Sequence, residues 1–557
     1  MVFGAPLRDA HRWEHLQSPL AGAYTATGLW RGVLLDSYLD DAAARHPHHT
    51  VVIDAGREVC FSELSAAVAS MTAGLRRLGI GAGDVVSWML PNWYEAIVVH
   101  HAIIRLGAVS NPIVPIYRQR EVTFILRQAR TKLLVVPKSF RGFDYPGMVA
   151  DLDVPDLEHV VIVRGDVDGC VQFDALLNID PREGAAISKV RSADDPVLLL
   201  YTSGTTADPK GAVHSHNTLD HELRSVVQLF GLVQHDTVFM PSPLTHVTGV
   251  LYGIHLPILL GSTVVLQDVW DAAAAADIIQ RHSASFTVGA TPFLHGLIQQ
   301  PDPAGGRLTT RAFACGGADV PPKLVRDATQ RFECCVVRVY GSTEHPTVSA
   351  CGFADDIDKR ASTDGRAVGA TEIKIVDADD LEVAPNTVGE ILVRGPEQFL
   401  GYLVSDSPGS HHTRDGWFRT GDLGALDNDG YISIVGRKKD IIIRGGENLS
   451  VKEIEDLLLE QTQVADVAVV GMPDPILGER VCAFVVPGGD ETPTFESLVA
   501  GLRTRGLAAQ KLPERVELVD ALPRTASGKI QKFILRELVQ RALNMESRID
   551  TCCQPGE

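Results

Sequence analysis

Cysteine is scarce in this sequence, and the few cysteines present are not spaced as a structural set. Nine cysteines occur in 557 residues, and none of them forms a C-x-x-C pair. That spacing predicts neither a zinc site nor a disulfide framework. We therefore expect a fold without disulfide bonds or structural zinc, which is typical of a reducing compartment.

Basic runs and long apolar runs are also lacking. Fifty-one Lys and Arg stand against 70 Asp and Glu, a net charge of -19 that would repel nucleic acid. Apolar runs stay far below the roughly 20 residues that span a bilayer. Residues 1–17 lack the apolar stretch of a secretory signal. We expect a cytoplasmic protein with no integral membrane segment and no nucleic-acid partner.

Helical and strand patterns alternate along the first part of the chain. Apolar residues recur at helical spacing from Ser62 to Leu78. Short strand-like runs follow at Val85-Val86, Leu133–Val136, Val160–Val163, Val197–Leu200, Thr263–Leu266 and Val336–Val339. This alternation predicts an α/β architecture of parallel sheets covered by helices. Because single cores stop growing at roughly 250 to 300 residues, two or more domains are expected.

The pattern changes after Val388. Closely spaced short strands and turn signals follow, such as Glu390–Arg394 and Asp427–Tyr431. The last part is mixed, with a helix near Lys452–Glu460, strands at Val464–Val470 and Val481–Val486, and a helix after Thr492. We predict a large N-terminal domain of parallel α/β subdomains plus a β-rich subdomain, followed by a small α+β C-terminal domain.

The most informative segment directly follows the apolar run Val197–Leu200. It reads Tyr201-Thr-Ser-Gly-Thr-Thr-Ala-Asp-Pro-Lys-Gly211. A strand that ends in small residues offers backbone N–H groups and hydroxyls, which suits a phosphate chain. The Walker pattern requires Gly-Lys-Ser/Thr, whereas Pro209 precedes Lys210 here, so a P-loop NTPase of that type is disfavoured. Taken alone, such a run is more often an ordinary loop.

Four later segments accompany this one in order. They are Tyr340-Gly-Ser-Thr-Glu344, Trp417-Phe-Arg-Thr-Gly-Asp422, Gly436-Arg-Lys-Lys-Asp440 and Pro523-Arg-Thr-Ala-Ser-Gly-Lys529. Together the five segments resemble the motifs of the adenylate-forming (ANL) superfamily, over nearly the whole chain. That superfamily includes acyl-CoA synthetases, firefly-type luciferases and peptide-synthetase adenylation domains. Ala207 stands where the family usually has glycine.

The resemblance implies a site for ATP, AMP and Mg²⁺. Thr343 would contact the α-phosphate, Glu344 would hold Mg²⁺, and Lys529 would stabilise the transition state of adenylation. Asp422 and Arg437 would bind the ribose; without the resemblance, each would be taken for a solvated surface charge. The other implied nucleotide-binding residues are Thr202, Ser203, Gly204, Thr205, Thr206, Lys210, Gly316, Gly317, Ala318, Tyr340, Gly341 and Ser342.

The resemblance also implies two domains that move. Residues 1–436 would be the adenylation domain and residues 437–557 a mobile lid domain, with a hinge near Lys439. Rotation about that hinge would withdraw Lys529 and bring Gly445 and Gly446 to line a tunnel for the pantetheine arm of coenzyme A. Taken alone, the two glycines would mark a hairpin turn.

The acid would bind in a pocket of apolar and small side chains. The predicted lining is His246, Val250, Gly289, Phe293 and His345. Relatives that activate amino acids need a carboxylate to pair with the ammonium group, and Ser242–Gly249 contains none. An uncharged aliphatic or alicyclic acid is therefore favoured. The segment Asn111-Pro-Ile-Val-Pro-Ile-Tyr-Arg118 most resembles short-chain fatty-acid and cyclohexanecarboxylate CoA ligases.

Two further patterns carry less weight. Gly79-Ile-Gly-Ala-Gly83 partly mimics a dinucleotide fingerprint but follows a helical pattern, so we interpret it as a turn. His214 and His216 have the spacing of a metal pair, but no third ligand at useful spacing is evident.

The predicted function is that of an AMP-forming acyl-CoA ligase, which adenylates an acid with ATP and transfers the acyl group to coenzyme A. Residues 541–557 contain no carrier serine motif, so we expect a separate acceptor, and coenzyme A is the simplest thiol. Two alternatives remain, an acyl-AMP ligase that loads a separate carrier protein and a catalytically dead nucleotide-binding regulator. A homodimer is compatible with the sequence, which does not fix the oligomeric state.

Overall fold

The computed structural model describes residues 13–184, 191–202, 209–301, 308–317, 320–404, 411–444, 447–488, 492–525 and 529–552. Contacts divide the chain into two compact units. The first unit comprises Met1–Ile373 and Val393–Phe418, and the second comprises Lys374–Leu392 and Arg419–Glu557. Among the described helices, none combines the length and apolar character needed to cross a membrane.

The first unit contains a nine-stranded sheet, counted within the described residues. Its six central strands are parallel, and antiparallel strands extend both edges. In spatial order the strands are Arg366–Ala367, Ser349–Ala350, Cys335–Tyr340, Ala312–Gly316, Phe286–Gly289, Thr237–Met240, Thr263–Leu266, Thr50–Asp54 and Arg57–Cys60. Residues such as Phe313 and Val336 pack with Ile279 and Val325 of the covering helices, because central parallel strands are buried on both faces.

The same unit contains an eight-stranded sheet, again counted within the described residues. Its strands in spatial order are Gly401–Tyr402, Lys210–Ser215, Pro196–Thr202, Val109–Pro112, Val85–Trp88, Leu133–Pro137, His159–Val163 and Val171–Gln172. The strands from Pro196–Thr202 onward are parallel to one another. Each of the first two strands runs antiparallel to the strand that follows it in this order. Strand Pro196–Thr202, which precedes the predicted phosphate loop, therefore lies inside the sheet. A short hairpin, Ser139–Phe140 with Phe143–Asp144, stands apart.

One helix of the first unit has a capping residue at its start and a glycine at its end. Helix His216–Phe230 begins after Ser215, whose Oγ accepts the N–H of Thr218 at 3.3 Å, and it ends at Gly231 with φ +53°. The other α-helices are Glu14–Gln17, Pro19–Ala26, Ser37–Arg45, Phe61–Arg77, Tyr94–Arg105, Gln119–Ala129, Tyr145–Ala150, Phe173–Leu177, Leu256–Leu260, Ala272–Arg281, Thr291–Ile298, Pro322–Phe332 and Ile357–Ser362. A π-helix spans Gly249–His255, and a 3₁₀ turn spans Pro181–Gly184.

Two sheets and three α-helices, counted within the described residues, form most of the second unit. The four-stranded sheet comprises Glu372–Val376, Gly389–Arg394, Phe418–Leu426 and Ile432–Arg437. The five-stranded sheet comprises Ile442–Arg444, Glu447–Leu449, Val464–Asp474, Gly478–Pro487 and Arg515–Leu518, and the helices are Val451–Leu459, Phe495–Thr504 and Lys532–Cys552. Val467 and Val469 pack toward Ile454, whereas Ala468 and Val470 pack toward Leu535. The alternation of a strand thus fills a separate core on each face.

The predicted elements agree closely with the observed ones. The helix predicted at Ser62–Leu78 is observed at Phe61–Arg77, and the apolar runs of the sequence all lie in strands. Asp427–Tyr431 is the turn between two strands of the four-stranded sheet. The α/β class with a small carboxyl-terminal domain is confirmed. The boundary between residues 436 and 437 stays a prediction, because contacts group residues 374–392 and 419–436 with the second unit.

Candidate active site

The predicted phosphate loop is the connection of a hairpin in the first unit. Strands Pro196–Thr202 and Lys210–Ser215 pair up to Thr202 opposite Lys210, and the Thr202 hydroxyl contacts the Lys210 carbonyl at 3.4 Å. The structure therefore brings both ends of the loop together at the carboxyl end of a buried strand. Such an edge of a parallel sheet is where phosphate sites commonly form. Ser203, Gly204, Thr205, Thr206 and Ala207 lie outside the described residues.

The motif Tyr340–Glu344 forms a tight turn after strand Cys335–Tyr340. Ser342 Oγ accepts the backbone N–H groups of Glu344 at 3.2 Å and of His345 at 3.3 Å. A Cβ atom on Gly341 would lie 1.9 Å from the Pro346 carbonyl oxygen, so only glycine fits there. Thr343 is 8% exposed and Glu344 is 9% exposed. The turn thus holds a carboxylate and a hydroxyl that are nearly enclosed.

Tyr402 connects these two predicted sites. Its hydroxyl donates to Glu344 Oε1 at 2.6 Å, and its ring centroid lies 5.3 Å from Lys210 Nζ. The strand that carries it pairs Tyr402 with Ala212, next to the phosphate hairpin. Lys210 and Glu344 are therefore both in contact with one tyrosine side chain, Lys210 at the ring and Glu344 at the hydroxyl. The sequence analysis missed Tyr402, because a Gly-Tyr pair on a short strand has no signal of its own.

Gly316 and Gly317, two of the predicted nucleotide-binding residues, lie at the end of strand Ala312–Gly316. A Cβ atom on Gly316 would lie 2.3 Å from the Val339 carbonyl oxygen, and Gly317 has φ +78°. Both positions therefore require glycine, which leaves backbone exposed at the strand end. Ala318 lies outside the described residues.

Asp422 and Arg437 are paired within the second unit. They stand opposite each other on adjacent antiparallel strands, and Arg437 Nε donates to Asp422 Oδ1 at 2.9 Å. The Asp422 side chain is 8% exposed, whereas the Arg437 side chain is 44% exposed. The structure thus brings together the two residues predicted to bind the ribose; that role stays a prediction.

The predicted hinge and lid residues also belong to the second unit. Burial, followed by the nearby Arg437 guanidinium, lowers the pKa of Lys439 to about 8. Lys529 closes a turn with Thr525, whose Oγ1 accepts the Lys529 N–H at 3.1 Å and whose N–H donates to the Lys529 carbonyl at 2.8 Å. Gly445 and Gly446 lie outside the described residues.

The residues predicted for the acyl pocket belong to the first unit. Half-buried His246 lies just before the π-helix Gly249–His255, which contains the fully buried Val250. Gly289 faces Phe293, because a Cβ atom on Gly289 would lie 3.0 Å from Phe293 Cδ2. π-Helical turns recur at functional sites. The role of these residues in an acyl pocket stays a prediction.

His345 has a different environment from the one predicted. It has no exposed surface, and its Nε2 contacts Glu397 Oε1 at 3.1 Å and Thr371 Oγ1 at 3.2 Å. Burial alone would raise the pKa of Glu397, but His345 and His221 lower it on balance. The role of His345 in lining the acyl pocket stays a prediction, and these contacts favour a structural role instead.

A second buried carboxyl group lies close by and was missed by the sequence analysis. Glu222 Oε1 contacts the Tyr252 hydroxyl at 2.5 Å and the Thr347 hydroxyl at 2.6 Å, and the two hydroxyls are 2.7 Å apart. All three contacts are hydrogen bonds at once only if three protons are present, and the two hydroxyls supply two. A proton on Glu222 would supply the third. Burial, followed by Glu397, raises the pKa of Glu222 to about 7, which agrees with this proton count.

We predict that Glu222→Gln flattens the pH dependence of stability. Between the ordinary pKa of 4.5 and the folded value of about 7, the folded state binds more protons than the unfolded state. The free energy of unfolding should therefore fall as pH rises through that window, by up to about 3 kcal/mol, and then level off. Thermal unfolding midpoints between about pH 5 and pH 8 should decline less in Glu222→Gln than in the unmodified protein.

The exposed Glu58 offers a matched control. Glu58→Gln should follow the pH curve of the unmodified protein. Parallel curves for Glu222→Gln and the unmodified protein would contradict the protonated ring.

His214 and His216 do not form a metal pair. His214 is fully buried, and its Nε2 contacts the Thr343 carbonyl oxygen at 2.7 Å. Burial lowers the pKa of His214 to about 4, so the neutral ring donates to this carbonyl and supports the Thr343 turn. His216 Nδ1 accepts the N–H of Leu35 at 3.1 Å. Across the described ranges, no group of three or more His, Cys, Asp or Glu residues could hold a metal ion.

Comparisons with known proteins agree with this arrangement. A family model described as AMP-binding enzyme matches residues 39–403, and one described as AMP-binding enzyme C-terminal domain matches residues 453–529. The medium-chain fatty-acid–CoA ligase of Escherichia coli (strain K12) is 34% identical over 532 residues, with 94% of each chain covered. The 2,3-dihydroxybenzoate-AMP ligase of Bacillus subtilis (strain 168) is 31% identical over 538 residues, with 94% of this chain and 97% of that one covered.

A solved structure with the same fold has ATP bound. It is MatB from Rhodopseudomonas palustris, with a TM-score of 0.82 and 29% identity, covering 91% of this chain and 99% of that one. Fold and site together define an ATP-dependent adenylating enzyme. The chain belongs to the AMP-binding enzyme family, the adenylate-forming superfamily that the motifs indicated, and it is an AMP-forming acid–thiol ligase.

Proposed function

We propose that the chain is an acyl-CoA synthetase. A carboxylic acid and ATP would give acyl-AMP and pyrophosphate, and coenzyme A would then take the acyl group, releasing AMP. The observation that carries this proposal is the approach of Lys210 to the ring of Tyr402 and of Glu344 to its hydroxyl, beside the phosphate hairpin. A cation and an enclosed carboxylate at that place suit a triphosphate bound with a divalent ion.

The proposed chemistry is an attack of the acid's carboxylate on the α-phosphorus of ATP. Lys210 and the hairpin would bind the β- and γ-phosphates, and Thr343 would orient the α-phosphate. Glu344 would hold Mg²⁺, which neutralises charge on the phosphates. Its carboxylate fits that ion, because Tyr402 engages Oε1 and, within the described part of the chain, Oε2 accepts no hydrogen bond.

The second unit would complete the site. Asp422 would accept hydrogen bonds from the ribose hydroxyls while Arg437, already hydrogen-bonded to it, fixes its orientation. Lys529 would supply a positive charge during adenylation. Rotation near Lys439 would then replace Lys529 with Gly445 and Gly446 for the thioester step.

The acid is proposed to be aliphatic, of short or medium chain, or alicyclic. Val250, Gly289 and Phe293 offer an apolar lining to such a chain. The Escherichia coli relative is named a medium-chain fatty-acid–CoA ligase, which supports the same class. Aromatic acids remain in the test panel because a Bacillus subtilis relative is named a 2,3-dihydroxybenzoate-AMP ligase.

That relative also keeps a second candidate function open. An acyl-AMP ligase would form the same adenylate but would load a separate carrier protein. The purified chain should be given Mg²⁺, ATP and a panel of short, medium, aromatic and alicyclic acids, each with and without coenzyme A. We expect pyrophosphate release with aliphatic or alicyclic acids and an acyl-CoA thioester. Pyrophosphate release without any thioester would favour the carrier-loading ligase, and no release with any acid would contradict the proposal.

A cytoplasmic location is also proposed. The cysteines described as free thiols include Cys60, Cys170, Cys335, Cys351 and Cys482. Free thiols are typical of a reducing compartment. A homodimer remains a prediction from the sequence.

A further inference from the structure

Tyr402 is held in place from several sides within the first unit. The strand Gly401–Tyr402 is fixed to the phosphate hairpin, because the N–H groups of Leu400 and Leu403 donate to the carbonyls of Val213 and Gly211, each at 2.7 Å. The Phe399 ring packs on the tyrosine with its centroid 4.9 Å away. Little freedom remains for the phenol, so the direction of its hydroxyl is set by the fold.

The same segment also holds the turn that carries Glu344. The N–H of Phe399 donates to the Glu344 carbonyl at 2.8 Å, and three residues later the Tyr402 hydroxyl donates to Glu344 Oε1 at 2.6 Å. Both the backbone and the side chain of Glu344 are thus fixed by one short stretch of chain. A hydrogen bond to Oε1 restrains the rotation of the carboxylate and leaves Oε2 directed elsewhere.

The ring of Tyr402 contacts the positive charge of the phosphate hairpin. Lys210 Nζ lies 5.3 Å from the ring centroid and 3.3 Å from His411 Nε2, and the His411 ring packs edge-on against Tyr402 at 5.0 Å. The ring face attracts the ammonium group of Lys210, whereas the hydroxyl donates a hydrogen bond to the carboxylate of Glu344. One side chain therefore fixes the relative positions of a cation and an anion that would both meet the triphosphate.

We propose that Tyr402 is a positioning residue, which orients the Glu344 carboxylate toward the divalent cation of Mg²⁺–ATP. This inference rests on the proposed function of the site. Groups that hydrogen-bond a metal-binding carboxylate typically change metal affinity or activity by about 10- to 100-fold when removed. Tyr402 touches neither the acid nor the reacting phosphorus in this account; it acts through Glu344.

The test uses Tyr402→Phe in the full chain. Phenylalanine keeps the ring beside Lys210 and removes only the hydroxyl donated to Glu344. Calorimetric titration should show ATP binding in the presence of Mg²⁺ weakened about 10-fold or more, with a matching rise in the Mg²⁺ concentration needed for half-maximal affinity. Binding of ATP in excess chelator, and binding of AMP, should change less than about twofold.

Tyr145→Phe is the matched control. Tyr145 is a buried tyrosine of the same unit whose hydroxyl donates to the Pro115 carbonyl at 2.9 Å, remote from Glu344 in its contacts. Its loss should leave the dependence on Mg²⁺ unchanged, although it too removes one buried hydrogen bond. Thermal unfolding midpoints of both variants report any general loss of stability.

Three results would overturn the proposal. In the first, Tyr402→Phe binds Mg²⁺–ATP as the unmodified protein does. In the second, Tyr402→Phe weakens ATP binding equally with Mg²⁺ and with chelator, as loss of a merely structural residue would. In the third case, Tyr145→Phe shows the same loss of Mg²⁺ dependence. Failure of the proposed function is distinguishable, because the unmodified protein would then show no Mg²⁺-dependent ATP binding and no acid-dependent pyrophosphate.

Discussion

Replacing Lys529 with alanine should abolish acyl-adenylate formation while sparing the second half-reaction. Negative charge builds on the phosphates as the acid attacks, and a preorganised cation there contributes to the rate by at least about 100-fold. The thioester step has no such requirement, because pyrophosphate has already left. Pyrophosphate release should therefore fall at least about 100-fold, whereas conversion of supplied acyl-adenylate and coenzyme A to thioester should fall less than about threefold.

Lys511→Ala is the matched control for that variant. Lys511 belongs to the same unit and forms an ion pair with Glu453 at 2.6 Å, with its side chain 28% exposed. Such pairs are typically worth less than about 1 kcal/mol, so both half-reactions should persist. An equal loss of both steps in Lys529→Ala would contradict the proposed replacement of Lys529 by Gly445 and Gly446 for the thioester step.

Lys439→Pro should separate the two steps in the opposite sense. Proline fixes φ near -65° and restricts the residue before it, so a backbone rotation at this point would be blocked. Adenylation needs no rotation if the chain starts in the adenylating arrangement. We expect pyrophosphate release within about threefold of normal and thioester formation reduced at least about 100-fold.

Lys439→Ala provides the comparison. Alanine removes the ammonium group, whose pKa burial lowers to about 8, but it leaves the backbone free to rotate. Thioester formation should therefore survive in Lys439→Ala and be lost only in Lys439→Pro. Normal thioester formation by the proline variant would contradict the prediction that a backbone rotation at Lys439 is needed for this step.

Much of the fold could be predicted because local patterns specify local elements. The β-branched run Thr263–Leu266 is an observed strand with the predicted bounds, and helix Phe61–Arg77 differs by one residue at each end. The order of strands in the sheets could not be predicted, because pairing joins distant segments. The contact of Tyr402 with Ala212 is one such pairing.

The candidate site was predicted only in part, because some of its residues belong to local motifs and others are defined by contacts between distant segments. Motifs that are contiguous in sequence, such as Tyr340–Glu344, were recognised directly. Two of them supplied Asp422 and Arg437 as ribose-binding candidates, but their ion pair with each other was not predicted. Tyr402, Glu222 and Glu397 were missed, because their importance comes from what they contact and not from their neighbours. His345 was selected because it follows a motif, but its own contacts could not be predicted from that position. The structure shows it buried against Glu397.

The transfer of oxygen-18 from a labelled acid to AMP tests the central claim most directly. If the carboxylate attacks the α-phosphorus, one carboxylate oxygen becomes the bridge of the adenylate and leaves with AMP when the thioester forms. Mass spectrometry of the nucleotide, after reaction of a doubly labelled acid with ATP, Mg²⁺ and coenzyme A, should show AMP with a single oxygen-18. AMP free of label, or ADP as the nucleotide product, would contradict the account.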